Sequence, residues 1–153
     1  MEENSAESTN IKRGVSAIIY DKNGQYYFLI LKRSKNWEGW EFCKGSIDEN
    51  ENEIEALHRE IKEETGIKNY KVLGRLKRKR EFENNGIKHI FDVFLVETNM
   101  NTPVNIHQNE EEEHSTYLWV TGDGVREKLQ WDNEKEVFDD CLKYLKIKDK
   151  KKA

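Results

Sequence analysis

The sequence is poor in the residues and segments that mark several protein classes. It contains two cysteines, Cys43 and Cys141, and one proline among 153 residues. Two cysteines give no disulfide framework, and their spacing matches no zinc motif. No apolar run approaches the roughly 20 residues that span a bilayer, and the polar start MEENSAESTN differs from a signal or transit peptide. We therefore expect a cytoplasmic protein of a reducing compartment, with residues 1–11 as a flexible tail.

Net charge also excludes little, because the formal value is only −4. The charges are unevenly distributed, however. Basic side chains run from Lys68 to Arg80 without an acid among them, whereas acids concentrate at 48–64 and 110–113. A molecule that presents cationic and anionic groups side by side is suited to an anionic substrate bridged by a metal ion.

Runs rich in β-forming residues predict a sheet. Val15–Tyr20 and Tyr26–Leu31 flank the turn Asp21-Lys22-Asn23-Gly24 and predict a hairpin. Further strands are predicted at 37–45, 70–82, 87–98 and 115–120, with a second hairpin turn at 83–86. The polar connection 99–112 is expected to be a mobile loop.

Two segments have the periodicity of helices. The first shows a cap, an apolar stripe and a stop, namely Asn50 or Asn52, then Ile54, Leu57 and Ile61, then Thr65-Gly66. A closing helix is predicted at 133–147, and its inward positions are Val137, Cys141, Leu142 and Leu145. Without internal repeats or a regular βαβ rhythm, the pattern predicts an α+β fold, an α/β/α sandwich with a mixed β-sheet between helices. A single domain is expected at 12–148, followed by a basic C-terminal tail at 149–153.

Three acids crowd one face of the first helix. Glu60, Glu63 and Glu64 fall within about 100° of each other on a helix, and like charges at this spacing cost roughly 0.2–0.5 kcal/mol per pair. One interpretation is a solvated acidic face. The other is a divalent-cation site, because the acids border the apolar stripe at the rim of the packed side. Clustered oxygen ligands are what Mg²⁺ or Mn²⁺ requires.

These acids belong to a longer pattern. Gly45, five residues, Glu51, seven residues and the run Arg59-Glu60-Ile61-Lys62-Glu63-Glu64-Thr65-Gly66-Ile67 resemble the full Nudix box. That box is G, five residues, E, seven residues, R-E-U-x-E-E-x-G-U, with U aliphatic, and every specified position is met. So many fixed positions make a chance match negligible. The resemblance implies metal-dependent hydrolysis of a phosphoanhydride in a nucleoside diphosphate linked to another group, with Mg²⁺ or Mn²⁺ as cofactor.

The resemblance also implies roles for individual residues. The metal ligands would be the Gly45 carbonyl and the carboxylates of Glu60, Glu63 and Glu64. Glu60 could instead deprotonate the attacking water, since members of the family differ in which acid is the base. Three residues would support these ligands. Arg59 would orient Glu60, Glu51 would brace Arg59, and Gly66 would end the helix.

A second source of acid is implied outside the box. Many Nudix enzymes carry a ligand or base six residues before a tryptophan, and counting back from Trp119 gives Glu113, with Glu112 as the next choice. Glu110 and Glu111 are expected to be solvated. His114 would either touch substrate or be a polar surface residue on an exposed loop.

The flanks of the box bear on the substrate. WEFCKGSID resembles a segment found in the asymmetric dinucleoside tetraphosphate hydrolases and in mRNA-decapping relatives. Three further segments resemble the diadenosine tetraphosphate hydrolase branch, namely LKRKREF, EHSTYLWV and LQWDNEKEVF. In a strand, Lys77 and Lys79 would share one face and Arg78 and Arg80 the other. The candidate phosphate and base contacts are Arg33, Lys44, Lys79, Arg80, Phe82 and Tyr117, and for each of Lys44, Phe82 and Tyr117 a purely structural role is the alternative.

Four functions remain open from the sequence. They are hydrolysis of a dinucleoside polyphosphate such as diadenosine tetraphosphate, a 5′-RNA pyrophosphohydrolase or decapping-like activity, a diphosphoinositol polyphosphate hydrolase, and a sensor without enzymatic activity. The intact set of box acids disfavours the last. Cys43 departs from the branch, whose members usually have proline there, and we expect a small buried apolar residue at this position.

Overall fold

The computed structural model describes residues 10–107 and 111–152, and within them eight strands form one sheet. The strands are β1 (Ile11–Asn23), β2 (Gln25–Arg33), β3 (Gly39–Glu41), β4 (Cys43–Ser46), β5 (Lys71–Arg75), β6 (Arg80–Asn84), β7 (Ile87–Glu97) and β8 (His114–Val120). The main order is β3-β2-β1-β7-β5, while β4 pairs with β1, β6 with β7 and β8 with β2. Residues 1–9 of the expected tail and Glu110 lie outside the described residues.

The sheet is mixed, and helices cover both faces. β1 and β7 run parallel from Ile11–Lys88 to Tyr20–Glu97, whereas the other pairings are antiparallel. The helices are α1 (Glu53–Thr65), α2 (Gly122–Lys128) and α3 (Asp132–Lys152). Alternate residues of β1 point to opposite faces, so that Val15, Ala17 and Ile19 pack with α1 while Ile18 and Tyr20 pack with α2 and α3. The predicted α/β/α sandwich is therefore confirmed.

Helix α1 begins and ends with local signals. Asn52 is the N-cap, and its side chain accepts from the Glu55 N–H while the Glu55 carboxylate accepts from the Asn52 N–H. Gly66 ends the helix in the left-handed conformation, with φ of 68°. The inward stripe is correct for Leu57 and Ile61 and wrong for Ile54, which is 45% exposed. Ile54 lies in the first turn at the edge of the buried arc, which centres on Leu57 and Glu64 instead.

Two predicted strands are each divided in two. At 37–45 the chain pairs first with β2 and then with β1, and it changes partner at Phe42. At 70–82 it pairs with β7 as β5, bulges at Gly74, leaves the ladder and returns as β6. The expected two-faced arrangement of Lys77, Arg78, Lys79 and Arg80 is wrong, because residues 76–79 are not in a strand.

The other departures concern the end of the chain and the loop after β7. Helix α2 was not predicted, and α3 continues through Lys152 rather than giving way to a tail at 149–153. Asp149 accepts a 2.7 Å hydrogen bond from the Tyr26 hydroxyl, which holds this last part of α3 on the sheet. In the loop, Ile106 is buried in the hydrophobic cluster that includes α1. The described part of the loop is therefore anchored to the core. Within the described residues, no helix is both long and apolar enough to cross a bilayer.

Candidate active site

Gly45, in β4, sets how closely α1 approaches the sheet. The Glu60 carboxylate lies directly against its Cα, and a Cβ at Gly45 would fall 2.0 Å from the Glu60 carboxyl carbon. No side chain fits into that distance without displacing Glu60. The glycine and the first acid of the Arg59-Glu60 run are thus in contact across the junction of strand and helix.

Arg59 connects the loop before α1 to the acids on it. Its Nε and Nη2 donate to both oxygens of Glu51, at 2.7 and 3.0 Å. Its Nη1 donates to Glu60 Oε2 at 2.8 Å and to Glu63 Oε1 at 3.3 Å, and Nη2 also reaches the Ser46 carbonyl at 2.8 Å. A planar guanidinium with paired hydrogen bonds fixes direction as well as charge. Arg59 therefore restricts the Glu60 carboxylate to one orientation.

The three helix acids differ in exposure. Glu60 and Glu64 are buried, whereas the Glu63 side chain is 41% exposed. The expected position at the rim of the packed side is therefore wrong for Glu60 and Glu64, because β4 lies over them. Glu64 Oε1 accepts the Lys44 backbone N–H at 3.1 Å. Within the described residues, Glu64 forms no ion pair.

Strand β8 brings the second set of polar groups. The Glu113 carbonyl accepts the Ser34 N–H at 2.9 Å, which fixes the start of β8 beside β2. One ligand atom from each of Glu64, Glu113 and His114 lies within 4.8 Å of the other two. The expectation of an exposed loop position is wrong for His114, which is buried at the first position of β8.

Glu41 lies behind this group and was not a sequence candidate. Its carboxylate is buried and meets three side chains from three strands. His114 Nε2 lies 2.8 Å from Glu41 Oε2, Arg33 Nη1 donates to the same oxygen at 3.3 Å, and Lys44 Nζ lies 3.3 Å from Oε1. Burial by itself raises the pKa of Glu41, but the hydrogen bond to His114 and the charges of Lys44 and Arg33 lower that pKa to about 2. Alternating large and polar residues in WEFCKG could have indicated an inward acid at this position.

The box acids open into a cavity of about 480 Å³. Its lining combines the acids Glu60, Glu63, Glu64 and Glu113 with the rings of Phe82, His89 and Phe91. These three rings are nearly parallel, and Phe82 and His89 have centroids 4.9 Å apart. A flat ring and an anionic chain complexed with a cation would both find suitable surfaces here.

A second cavity of about 440 Å³ adjoins the first through shared walls. The shared residues are Trp37, Lys44, Phe82 and Asn84. Trp131 completes an aromatic side, with its ring edge-on to Trp37 at 5.6 Å. Arg80 lines the cavity from a buried position, where it donates to Asn133 Oδ1 at 2.7 Å and pairs with Glu134 at 3.5 Å.

Burial changes the acidity of the helix carboxylates. It raises the pKa of Glu60 to about 7 against the charge of Arg59, and the carboxylates of Glu63 and Glu113 act in the same direction as burial. Burial, together with the carboxylates of Glu60 and Glu41, also holds the pKa of Glu64 well above its usual range. In both groups the effect of burial outweighs that of the nearby cation, which is Arg59 for Glu60 and Lys44 for Glu64.

This donor set fits a hard divalent cation. Glu60, Glu63, Glu64 and Glu113 offer carboxylate oxygens around one cavity wall, and Gly45 lies beside them. Oxygen donors of this kind match Mg²⁺ and Mn²⁺. Buried carboxylates without a compensating cation are costly, so an added cation would offset the burial and the mutual repulsion that raise the two pKa values.

The remaining candidates are distributed unevenly. Arg33, Lys44 and Phe82 line the first cavity, and Arg80 lines the second. Among the described residues, Lys79 and Tyr117 line neither: Lys79 pairs with Asp92, and Tyr117 is exposed on β8. Glu111 is exposed at the first cavity, with Lys35 at 3.3 Å. Cys43 is buried, as predicted.

The chain is similar in sequence to known proteins. The chain is 28% identical over 128 residues to an RNA pyrophosphohydrolase of Sulfurovum sp., covering 76% of this chain and 82% of that protein. It is 35% identical over 69 residues to an RNA pyrophosphohydrolase of Nitratiruptor sp., a match that spans 44% of each chain. The longer of the two matches therefore extends well beyond the box.

The fold is shared with solved structures. A C. elegans Ap4A hydrolase, determined as a binary complex, superposes with a TM-score of 0.78 at 22% identity, over 88% of this chain and 97% of that one. At this identity the similarity concerns the fold. The NUDIX domain family matches residues 10–141, which include every strand and helix that contributes to the cavity. The chain therefore belongs to the Nudix family.

Proposed function

We propose that this enzyme hydrolyses a phosphoanhydride bond in a dinucleoside polyphosphate such as diadenosine tetraphosphate. The observation that carries the proposal is the pair of adjoining cavities. One combines the acids with stacked rings, and the other combines tryptophan rings with a buried arginine. A substrate with two bases and a polyphosphate between them would use both, because flat bases pack on aromatic faces and phosphates follow cations.

The acids would hold Mg²⁺ or Mn²⁺, with Glu60, Glu63, Glu64, Glu113 and the Gly45 carbonyl as the proposed ligands. When bound, the metal would polarise the phosphoryl oxygens and neutralise developing charge. Arg59 Nη1 donates to Glu60 Oε2 and so restrains that carboxylate. Arg59 does not bond the other oxygen, Glu60 Oε1, which would face the substrate. In the alternative arrangement Glu60 would be the base instead of a ligand, and a pKa raised by burial to about 7 suits it to accept a proton from water near neutral pH. Glu113, on the opposite element, is the alternative base.

Besides Arg59, the basic side chains of Arg33 and Lys44 line the first cavity. Arg33 is held by Glu41 and Glu113, and Lys44 by Glu41. Both side chains are mostly buried and already paired, so phosphate binding would require little further ordering of them. We therefore assign Arg33 and Lys44 to the polyphosphate, and Phe82 and Arg80 to the base-binding side.

An RNA 5′ end is the second candidate, and it is favoured by the RNA pyrophosphohydrolases that this chain resembles. The basic segment Lys68–Arg80 gives it less support than its sequence suggests. Arg75 pairs with Glu53, Arg78 with Asp140 and Lys79 with Asp92. These internal pairs reduce the charge available to an RNA backbone or to a diphosphoinositol ring.

A product assay distinguishes these substrates. The protein is incubated with Mn²⁺ or Mg²⁺ and, separately, with diadenosine tetraphosphate, 5′-triphosphorylated RNA, capped RNA and a diphosphoinositol phosphate. We expect the highest kcat/KM on diadenosine tetraphosphate, with ATP and AMP as products, and ¹⁸O water identifies the phosphorus that is attacked. Faster turnover of RNA with steep salt dependence would favour the second candidate, and negligible turnover of every substrate would contradict both.

Removal of one helix acid tests the assigned chemistry. We expect Glu64→Gln to reduce kcat by at least about 10³-fold, because this buried carboxylate is a proposed ligand. The fold should survive, since the amide is nearly the same size and relieves a buried charge. Glu49→Gln is the matched control, because Glu49 is exposed just before α1. A Glu64→Gln rate near that of the wild type would refute the ligand assignment.

A further inference from the structure

The box acids do not account for all the polar groups buried at the site. Glu64, Glu113 and His114 bring one ligand atom each within 4.8 Å of the others. Two of these groups come from outside the box, and one is a nitrogen donor. The group therefore differs in chemistry from an all-oxygen site.

The Glu41 carboxylate orients the ring of His114. Its Nε2 lies 2.8 Å from the Glu41 carboxylate, and both side chains are at least 98% buried. A carboxylate accepts hydrogen bonds, so Nε2 carries the hydrogen and Nδ1 is the nitrogen left for another partner. Metal-bound histidines commonly donate their second N–H to a carboxylate in this way.

Glu41 is itself held in position. Arg33 Nη1 bridges Glu41 and Glu113 at 3.3 and 3.4 Å, and Lys44 Nζ approaches Glu41 at 3.3 Å. Strand β2 supplies Arg33, β4 supplies Lys44, and β8 supplies His114. Because three strands converge on one buried carboxylate, the His114 ring cannot turn without breaking this set of contacts.

Glu64 provides the observation that points to a cation. It is 3% exposed and lines the cavity, and within the described residues it forms no ion pair. A buried carboxylate without a countercharge is costly unless a cation binds it. The nearby nitrogen and the Glu113 carboxylate would complete such a site.

We propose that His114 is a nitrogen ligand of a divalent cation held together with Glu64 and Glu113, and that Glu41 is the residue that positions it. The inference rests on the proposed metal-dependent function and adds a nitrogen ligand from outside the box to it. Imidazole suits transition metals, whereas carboxylates also suit Mg²⁺. A mixed site therefore favours Mn²⁺ over Mg²⁺.

Pulsed EPR of bound Mn²⁺ detects the nitrogen directly. The protein is labelled with ¹⁵N-histidine and loaded with one equivalent of Mn²⁺. The four histidines are His58, His89, His107 and His114. We expect a ¹⁵N hyperfine coupling that persists in His58→Gln, His89→Gln and His107→Gln and disappears in His114→Gln. The three retained couplings identify His114 by exclusion even if His114→Gln fails to fold.

The outcomes separate this inference from the proposed function. Bound Mn²⁺ without any ¹⁵N coupling, or a coupling lost in His89→Gln alone, would overturn the inference while leaving a metal-dependent hydrolase possible. Failure of Mn²⁺ to bind at all would overturn both.

Glu41 is tested by metal affinity rather than by activity. Glu41→Gln keeps an acceptor for the His114 N–H but removes its charge, and we expect Mn²⁺ to bind roughly 10–100-fold more weakly. Mg²⁺ affinity should fall less, because the nitrogen ligand contributes less to it. Glu38→Gln, with an exposed side chain, serves as the control. Equal losses for both metals, or none, would show that Glu41 is only structural.

Discussion

One hydrogen atom in place of a methyl group allows β4 and α1 to meet at the site. Gly45 leaves room for the Glu60 carboxylate, which Arg59 then fixes in direction. The same contact leaves Glu60 with little water and a raised pKa. Position and acidity of the acid therefore have one cause, which is the close approach of a strand to a helix.

Gly45→Ala tests this contact. The new methyl group would displace Glu60, so we expect kcat to fall at least about 100-fold and stability to fall by about 1–3 kcal/mol. Gly122→Ala is the matched control, because a Cβ there would meet Leu142 at an ordinary 3.7 Å, and helix propensity should raise stability by up to about 1 kcal/mol. Activity and denaturant unfolding are measured for both. Wild-type activity in Gly45→Ala would contradict the contact.

Residue types at fixed spacing were the easiest part of the site to predict. Glu60 and Glu64 share a helix, so their separation follows from helical geometry alone. Glu41 and His114 are 73 residues apart in sequence. They meet because β2 pairs with β3 on one edge and with β8 on the other, at Leu31–Glu41 and Arg33–His114. No local pattern contains that information, and the role of His114 could not be predicted without the sheet order.

For whole elements too, features encoded in local sequence were predictable and features that depend on tertiary pairing were not. Helix α1 and both hairpins carry their own caps and turns, and they were predicted. The division of 37–45 into β3 and β4 depends on which neighbour each half pairs with, and this is a tertiary choice. Helix α2 was missed because it has seven residues and contains Gly122 and Gly124, which are poor helix formers.

The N-terminal cap of α1 can be tested as an element. Asn52→Ala removes the half of the capping box in which Asn52 Oδ1 accepts the Glu55 N–H, and we expect a loss of about 1 kcal/mol. Asn50→Gly is the informative control for the alternative cap. Asn50 has a φ of 66°, a conformation that glycine adopts easily, so stability should be unchanged or slightly higher. Denaturant unfolding measures both, and equal losses in the two variants would contradict Asn52 as the cap.

At the scale of the whole molecule, the site lies where the sheet and α1 enclose several carboxylates together. Glu60 and Glu64 are buried near Glu41 and Glu113, and their raised pKa values record the cost. Within the described residues, Arg59 is the cation that directly contacts Glu60. The metal-free protein is thus less stable at the site than the same fold would be with neutral groups.

This cost predicts a pH dependence for the metal-free protein. Glu60 has a folded pKa of about 7 against an ordinary value of 4.5, so the folded state binds its proton more tightly than the unfolded state. Its contribution to stability is complete below about pH 4.5 and is lost as the pH rises through 7, a loss of roughly 3 kcal/mol. Glu60→Gln does not titrate at this position. Its unfolding free energy minus that of the wild type should therefore increase from pH 5 to pH 8, because the wild type loses stability as Glu60 ionises. Titrating groups away from Glu60 are common to both proteins and largely cancel, whereas Glu64 contributes to the difference because the Glu60 carboxylate raises its pKa.

Added Mn²⁺ should reverse the trend, because the cation binds the ionised carboxylates and displaces their protons. We expect the increase in melting temperature caused by millimolar Mn²⁺ to be small at pH 5 and to become larger toward pH 8 in the wild type. In Glu60→Gln the increase should be smaller and should depend less on pH. Differential scanning calorimetry of both proteins, with and without Mn²⁺, measures the four curves. Parallel pH profiles for the two metal-free proteins would show that Glu60 is ionised without a metal, and that its burial does not set its acidity.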